Sequence, residues 1–150
     1  MNETKICLLG GDTRQITLAR HLAECGYETA VWGLVLPEGG ESPAFVRCAD
    51  AESAVRGSRA VILPLPATVD GVRVNCRQAD GALPLARCEL RLTRLMEMMP
   101  PGCLLLAGMP GDLLRAMARE ATITLIDYYD CESVQIRNAV PTAEGAVALA

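Results

Sequence analysis

Short apolar runs recur along this chain, and each is followed by turn residues and then by a segment with helical or mixed periodicity. They span residues 5–9, 28–33, 59–63, 103–107 and 123–126. Runs of this length are typical of strands that are buried on both faces of a parallel sheet, because the crossover connections lie over both faces. The sequence therefore predicts an α/β three-layer sandwich with a mostly parallel sheet of five or more strands, either flavodoxin-like or Rossmann-like.

Helices are predicted between these strands. They span 13–25, 50–56, 88–98, 112–120 and the stretch that follows Asn138. Asp12 is a good N-cap, Gln15 stands in the capping-box position three residues later, and Gly26 is suited to end the first helix. Asp112 is interpreted as the cap of a later helix. Residues 69–85 have weak periodicity and are expected to form a long excursion.

The composition fits one domain and excludes several function classes. The chain has 150 residues, 51% of them hydrophobic, so we expect a single domain over residues 1–150. The net charge of −4 and the 3% aromatic content argue against nucleic acid as a partner. No apolar run is long enough to cross a membrane and no signal peptide is evident, so we expect a cytoplasmic protein. The seven cysteines form no C-x-x-C pair, so no metal site is expected.

The loop after the first strand, Gly10 to Gln15, stands where a dinucleotide fingerprint would lie. Two glycines of G-x-G-x-x-G are replaced, by Asp12 and Gln15, and no acidic residue ends the second strand. No nicotinamide cofactor is therefore expected in this chain. The helix N-terminus with Arg14 suits a carboxylate better than a diphosphate. The alternative is a tight capped turn with Arg14 in solvent or paired with a nearby acid.

Further candidates lie in loops beyond the carboxyl ends of the predicted strands, where ligands of such sheets bind. Pro66 and Thr68 follow the third strand, although proline also simply ends a strand. The predicted binding residues are Gly10, Gly11, Asp12, Arg14, Pro66, Thr68, Thr142 and Glu144, and all of them except Thr142 are expected in one cleft. His21, the single histidine, lies mid-helix and is interpreted as structural. No catalytic acid or base is identified.

Three stretches together resemble one known family. They are Gly10-Gly11-Asp12-Thr13-Arg14-Gln15, then Ile62-Leu63-Pro64 with Pro66 and Thr68, and finally Pro141-Thr142-Ala143-Glu144-Gly145. They resemble the A subunit of dipicolinate synthase. The resemblance covers the whole chain but corresponds to the N-terminal half of that family. The chain also stops within an apolar segment with no closing polar residues, as we expect of a chain cut from a longer protein.

The resemblance implies a cytoplasmic oxidoreductase of sporulating bacteria. It implies that the enzyme makes dipicolinate, pyridine-2,6-dicarboxylate, from a dihydrodipicolinate-type intermediate of the lysine pathway, with NADP and the B subunit of dipicolinate synthase as a partner. A C-terminal Rossmann domain of the family would hold NADP, so this fragment alone is expected to be inactive. A homo-oligomer is compatible with the sequence. The alternative is a stand-alone flavodoxin-like sensor or interaction domain; an FMN-binding flavodoxin is disfavoured because no Ser/Thr-rich phosphate loop is present.

Overall fold

Six parallel strands form the centre of the computed structural model, which describes residues 2–34, 36, 44–76, 89–137, 139 and 148. The strands are β1 (Asn2–Leu9), β2 (Tyr27–Trp32), β3 (Val46–Arg47), β4 (Ala60–Ile62), β5 (Leu104–Ala107) and β6 (Thr124–Asp127). Their order is β3-β2-β1-β4-β5-β6, and every neighbouring pair is parallel. The α/β prediction is confirmed, and the order is that of a Rossmann sheet.

The strand β3 is the one that the sequence did not reveal. It has two residues, and both side chains are exposed, so it has no apolar run to mark it. It pairs with β2 through Ala30 and Val31. Without β3, the remaining five strands would follow the order of flavodoxin, which is why the sequence pattern could not separate the two fold types.

Four helices connect the strands within the described ranges. They are α1 (Thr13–Glu24), α2 (Ala51–Val55), α3 (Leu92–Met98) and α4 (Gly111–Glu120). A 3₁₀ turn over Tyr128–Asp130 follows β6, and residues 132–137 are helical. None of the helices within the described ranges combines the length and the apolar character needed to cross a bilayer.

The start and end of α1 agree with the sequence prediction. The Asp12 carboxylate accepts a hydrogen bond from the backbone N–H of Arg14, as an N-cap does. At the other end, Gly26 has a φ of +89°, a left-handed conformation that favours glycine. The N–H groups of Cys25 and Gly26 donate to carbonyls of the last turn. Both caps therefore follow from local side-chain chemistry.

One other expectation needs correction. The helix α4 begins at Gly111, with Pro110 at the N-cap position, so Asp112 lies in the first turn and is not the cap. An acidic side chain there still stabilises the helix through the macrodipole. Asn138 and most of the segment that was predicted as a helix after it lie outside the described residues. The excursion after β4 returns through an antiparallel bridge between Arg73 and Arg91, and residues 77–88 lie outside the described residues.

The core is divided between the two faces of the sheet. On one face, α2, α3 and α4 pack over Cys7, Leu9, Val61 and Leu105. On the other face, α1 packs over Leu8, Val31 and Ile62. The helix α1 covers the sheet only as far as β4. Beyond it, Leu106 is partly buried and Ile126 is 43% exposed. No helix of the described residues covers this part of the face, and the cavity described below opens there.

Candidate functional site

Four loops meet at the carboxyl edge of the sheet. They follow β1, β4, β5 and β6. The central strands β1 and β4 are neighbours, and their connections leave the sheet in opposite directions. This is the switch point at which α/β sheets of this kind bind their ligands. The predicted site residues should therefore meet at this edge.

Gly10 and Gly11 are enclosed by protein. Their N–H groups donate to the carbonyl oxygens of Trp32 and Asn75 over 2.9 and 2.8 Å. The φ angles are +67° and +94°, and a Cβ on Gly10 would lie 2.7 Å from the Asn75 oxygen. Both N–H groups are therefore used within the chain. The backbone that would face a pyrophosphate in a dinucleotide site is covered by the segment 74–76, so the residues of this loop do not fit that group.

Asp12 and Arg14 form an ion pair at the start of α1. The Arg14 Nε lies 3.0 Å from Oδ1 of Asp12, and Nη2 lies 2.8 Å from Oδ2. Burial acts to raise the Asp12 pKa, but hydrogen bonds from Arg14 outweigh it and hold the pKa below its usual value. The Asp12 carboxylate thus occupies the anion position at the helix N-terminus. Of the alternatives for Arg14, the structure shows pairing with a nearby acid.

Arg14 also connects two loops. Its Nη2 donates to the Leu65 carbonyl oxygen over 2.8 Å, which ties the start of α1 to the loop after β4. The guanidinium is 57% exposed, and its Nη1 donates to none of the described residues. The hydrogen bond to Asp12 raises the Arg14 pKa, so the group stays charged. One edge of the guanidinium is therefore held in place while another faces outward.

Pro66 and Thr68 are held by the same loop network but have different roles from those predicted. The Pro66 carbonyl oxygen accepts a hydrogen bond from the side-chain amide of Asn75. The backbone carbonyl of Asn75 in turn accepts one from the Gly11 N–H. The Thr68 hydroxyl accepts from the Gly71 N–H over 2.9 Å and stabilises the turn that follows it. Thr68 is thus at the correct edge of the sheet but is used by its own turn. Thr142 and Glu144 lie outside the described residues, so their role in binding stays a prediction.

A cavity of about 320 Å³ opens on the α1 side of this edge. It is lined by Asp12, Arg14, Gln15, Leu18, Ile62, Pro64, Leu65, Leu106 and Tyr128. Asp12 and Arg14 are the predicted site residues among these. Apolar side chains form most of the cavity wall. Its polar groups are the Asp12–Arg14 ion pair, the Gln15 amide and the Tyr128 phenol. The cavity therefore lies on the Tyr128 side of the loop after β4, and Thr68 is not among the residues that line it.

Tyr128 closes the cavity on the side of β6. Its hydroxyl donates to the Leu63 carbonyl oxygen over 2.9 Å, and burial raises its pKa to about 12. The ring lies beside Gly108, where a built Cβ would be 2.9 Å from Cε2 and Cζ of the ring. The preceding Asp127 is fixed by Arg115 at 2.7 Å. The sequence signal for Tyr128 is its position directly after the last strand, because ligands of such sheets bind beyond the carboxyl ends of the strands.

Gln15 is the second residue that sequence reasoning missed. Its side chain was expected to return to the N-cap, but it turns inward, where Nε2 lies 3.4 Å from the Ile62 carbonyl oxygen. The residue is 5% exposed. A Cβ on Gly11 would lie 2.5 Å from the Gln15 Cγ, so glycine leaves the room that this side chain occupies. The N-cap and first turn of α1 therefore supply three side chains to the cavity: Asp12, Arg14 and Gln15.

Other polar candidates lie apart from this cavity. His21 is exposed on α1 with its Nε2 3.8 Å from the Cys25 sulfur, in keeping with a role outside the site. Cys7, Cys76 and Cys103 are buried and form no disulfide with another described cysteine, and burial raises the pKa of Cys7. Among the described residues, no three His, Cys, Asp or Glu side chains are grouped in a way that could hold a metal ion.

Comparison with known proteins places the chain beside one group of enzymes. The family model for the N-terminal domain of the dipicolinate synthase A subunit matches residues 5–129. The A subunit of dipicolinate synthase from Bacillus subtilis is 27% identical over 146 residues, which cover 97% of this chain and 47% of that protein. This chain therefore spans about half the length of the curated relative that it matches.

Solved structures show the same architecture. The crystal structure of the dipicolinate synthase A chain from Bacillus subtilis matches with a TM-score of 0.75 at 23% identity, over 99% of this chain and 48% of that one. The A subunit of the synthase from Bacillus halodurans matches with a TM-score of 0.74 at 20% identity, over 97% and 47%. An NAD-complexed D-isomer specific 2-hydroxyacid dehydrogenase from Lactobacillus delbrueckii matches with a TM-score of 0.53 at 13% identity, over 83% and 34%. At these identities the likeness concerns the fold.

Proposed function

This chain belongs to the N-terminal domain family of the A subunit of dipicolinate synthase, and from that premise we propose that it forms the substrate-binding side of an oxidoreductase that makes dipicolinate. In this proposal the substrate is a dihydrodipicolinate-type dicarboxylate, and the NADP that the whole enzyme uses is held outside the described residues. A cytoplasmic location, a role in sporulation and partnership with the B subunit of the synthase belong to the same proposal. Family membership favours this function over a stand-alone sensor or interaction domain.

The observation that carries the proposal is the carboxylate of Asp12 at the N-terminus of α1. In a dinucleotide-binding sheet this position is free for a phosphate. Here it holds an internal anion paired with Arg14, and the neighbouring N–H groups of Gly10 and Gly11 are bonded to other backbone carbonyls. The loop has therefore lost the features that bind a pyrophosphate, while the adjacent cavity keeps a size suited to a small ligand.

The cavity is suited to a planar acid with one ring. Its volume of about 320 Å³ is near the lower end of small-molecule sites, which span about 300–1,000 Å³. Apolar side chains such as Leu18, Ile62 and Leu106 provide flat carbon surface for a ring. The outward edge of the Arg14 guanidinium can donate to a carboxylate, and a charge-assisted pair of this kind fixes orientation as well as affinity.

Calorimetric titration of the 150-residue chain tests the proposal. We expect pyridine-2,6-dicarboxylate to bind with a stoichiometry of one and NADP to give no binding heat. The chain alone should also show no turnover of a dihydrodipicolinate-type substrate with NADP. Micromolar affinity for NADP would show that the loop after β1 has been misinterpreted. Absence of dipicolinate binding would remove the substrate-side role of the cavity.

A further inference from the structure

Gln15 is a buried amide in a wall that is otherwise mostly carbon. It is 5% exposed and lines the cavity beside Leu18 and Ile62. Its one hydrogen bond within the described residues, from Nε2 to the Ile62 carbonyl, is long at 3.4 Å. A carboxamide can donate twice and accept twice. Most of the hydrogen-bonding capacity of this side chain is therefore unused by the described part of the protein.

The unused capacity lies mainly on the amide oxygen. No described residue donates a hydrogen bond to Oε1 of Gln15, and this oxygen is not sealed in the core, since it is not among the fully buried unpaired atoms. An accessible amide oxygen on a cavity wall is hydrated, and a ligand that displaces this water must supply the hydrogen bond in its place. A residue with poor pairing, placed in the wall of a cavity, has the properties of a group that completes its hydrogen bonds with a ligand.

The surrounding chain holds Gln15 in this inward position. On one side, the absence of a side chain at Gly11 leaves room for its Cγ, since a Cβ there would lie 2.5 Å away. The same Cβ would lie 2.9 Å from Pro64, so the loop after β4 closes the space from behind. The backbone N–H of Gln15 is bonded to the Asp12 carbonyl over 3.0 Å. The position of the amide is thus set by both central loops of the sheet.

We infer that Gln15 is a specificity-determining residue that recognises the ring nitrogen of a heterocyclic dicarboxylate. This inference rests on the proposed function, because it assigns a role within the same cavity. Arg14 and Gln15 are consecutive in α1 and both line the cavity, so one ligand can contact both. Arg14 takes a carboxylate and Gln15 takes the adjacent ring atom. The amide can donate to a bare ring nitrogen or accept from an N–H, so it serves either protonation state of the ring.

Two ligands of the same shape separate this role from simple packing. Pyridine-2,6-dicarboxylate and benzene-1,3-dicarboxylate differ in the ring atom between the carboxylates, which is nitrogen in one and C–H in the other. We expect calorimetry on the unmodified chain to show the pyridine acid binding about tenfold more tightly, the effect of roughly one hydrogen bond. Equal affinities would overturn the inference without any variant being made.

The variant Gln15→Met keeps the length of the side chain and removes the amide. We expect it to bind the two acids with equal affinity and to unfold at a temperature no lower than the unmodified chain. The matched control is Leu22→Met, which lies on the same helix outside the cavity and should keep the tenfold preference. If Gln15→Met keeps the preference, the inference fails and the proposed function stands. If the unmodified chain binds neither acid, the proposed function fails together with the inference.

Discussion

The ring of Tyr128 lies against the backbone of Gly108, at a distance that leaves no room for a side chain. A Cβ on Gly108 would be 2.9 Å from both Cε2 and Cζ of the ring, and 2.6 Å from a methyl group of Leu65. From this position the Tyr128 hydroxyl reaches the Leu63 carbonyl oxygen. The contact holds the loops after β4, β5 and β6 together and fixes one wall of the cavity.

Replacing Gly108 with alanine should therefore displace Tyr128. We expect the free energy of unfolding to fall by about 1–3 kcal/mol, the usual effect of overpacking, and dipicolinate binding to be lost. Urea unfolding and calorimetry measure the two effects. Gly57→Ala is the control: its φ is +74° with open space around it, so it should reduce stability while leaving binding unchanged. Unchanged binding in Gly108→Ala would show that this contact does not shape the cavity.

The phenol of Tyr128 should make stability depend on alkaline pH. Its folded pKa is about 12 against an ordinary value of 10.0, because burial favours the neutral form. The stability that the neutral phenol contributes is fully present below the unfolded-state pKa of 10.0. It is lost as pH rises from 10 towards the folded-state pKa of about 12. We expect Tyr128→Phe, which cannot ionise, to lose less stability over this window than the unmodified chain. Parallel slopes in urea unfolding across the window would contradict this.

Removing the cation of Arg14 should weaken the binding of a dicarboxylate. A charge-assisted hydrogen bond contributes about 1.5–3 kcal/mol, so Arg14→Ala should lose on the order of tenfold or more in dipicolinate affinity. Arg14→Lys should recover part of it, because a point charge cannot reproduce the planar fork. The melting temperature should change little, since the side chain is 57% exposed. Unchanged affinity at unchanged stability would remove Arg14 from the site.

Asp12 should contribute to stability both as a cap and as a charge. Asp12→Ala removes the acceptor for the Arg14 N–H and should cost about 1 kcal/mol, while Asp12→Asn keeps the cap. Because the folded Asp12 pKa is lowered, its charge stabilises the fold above the unfolded value of 3.8 and ceases to do so as pH falls below it. The stability difference between the unmodified chain and Asp12→Asn should therefore shrink in acid. A difference that stays constant in acid would contradict a contribution from the charge of the carboxylate.

The strands were predictable because each buried strand is marked by its own residues. The runs at 5–9 and 103–107 needed no knowledge of the rest of the chain. By contrast, β3 is held by its partner: Val46 and Arg47 are exposed, and their strand conformation depends on pairing with β2. The caps at Asp12 and Gly26 are local as well, whereas the start of α4 depends on where the preceding loop ends.

The candidate site was less predictable for a physical reason. Sequence analysis located Asp12 and Arg14 through the rule on strand ends, and both line the cavity. It could not tell how far across the sheet α1 extends, since that depends on strand order across the whole sheet. Gln15 was interpreted through its neighbours in sequence, but its side-chain amide lies beside the Ile62 carbonyl, which is far along the chain. The Thr68 hydroxyl accepts a hydrogen bond within its own turn, and a role for it in ligand binding stays a prediction.

The central place of β1 has a consequence for how the chain is made. Ile6 pairs with Thr29 on one side and with Ala60 on the other, so β1, the earliest of the described strands to be synthesised, receives its second neighbour only after β4 has been added. At roughly 5–20 residues per second, this delay lasts several seconds on the ribosome. Throughout that time one edge of an apolar strand has its N–H and C=O groups unpaired, in the manner of the sheet edges through which chains aggregate. Newly made copies of this domain can therefore associate with one another through the open edge of β1 until residue 60 emerges.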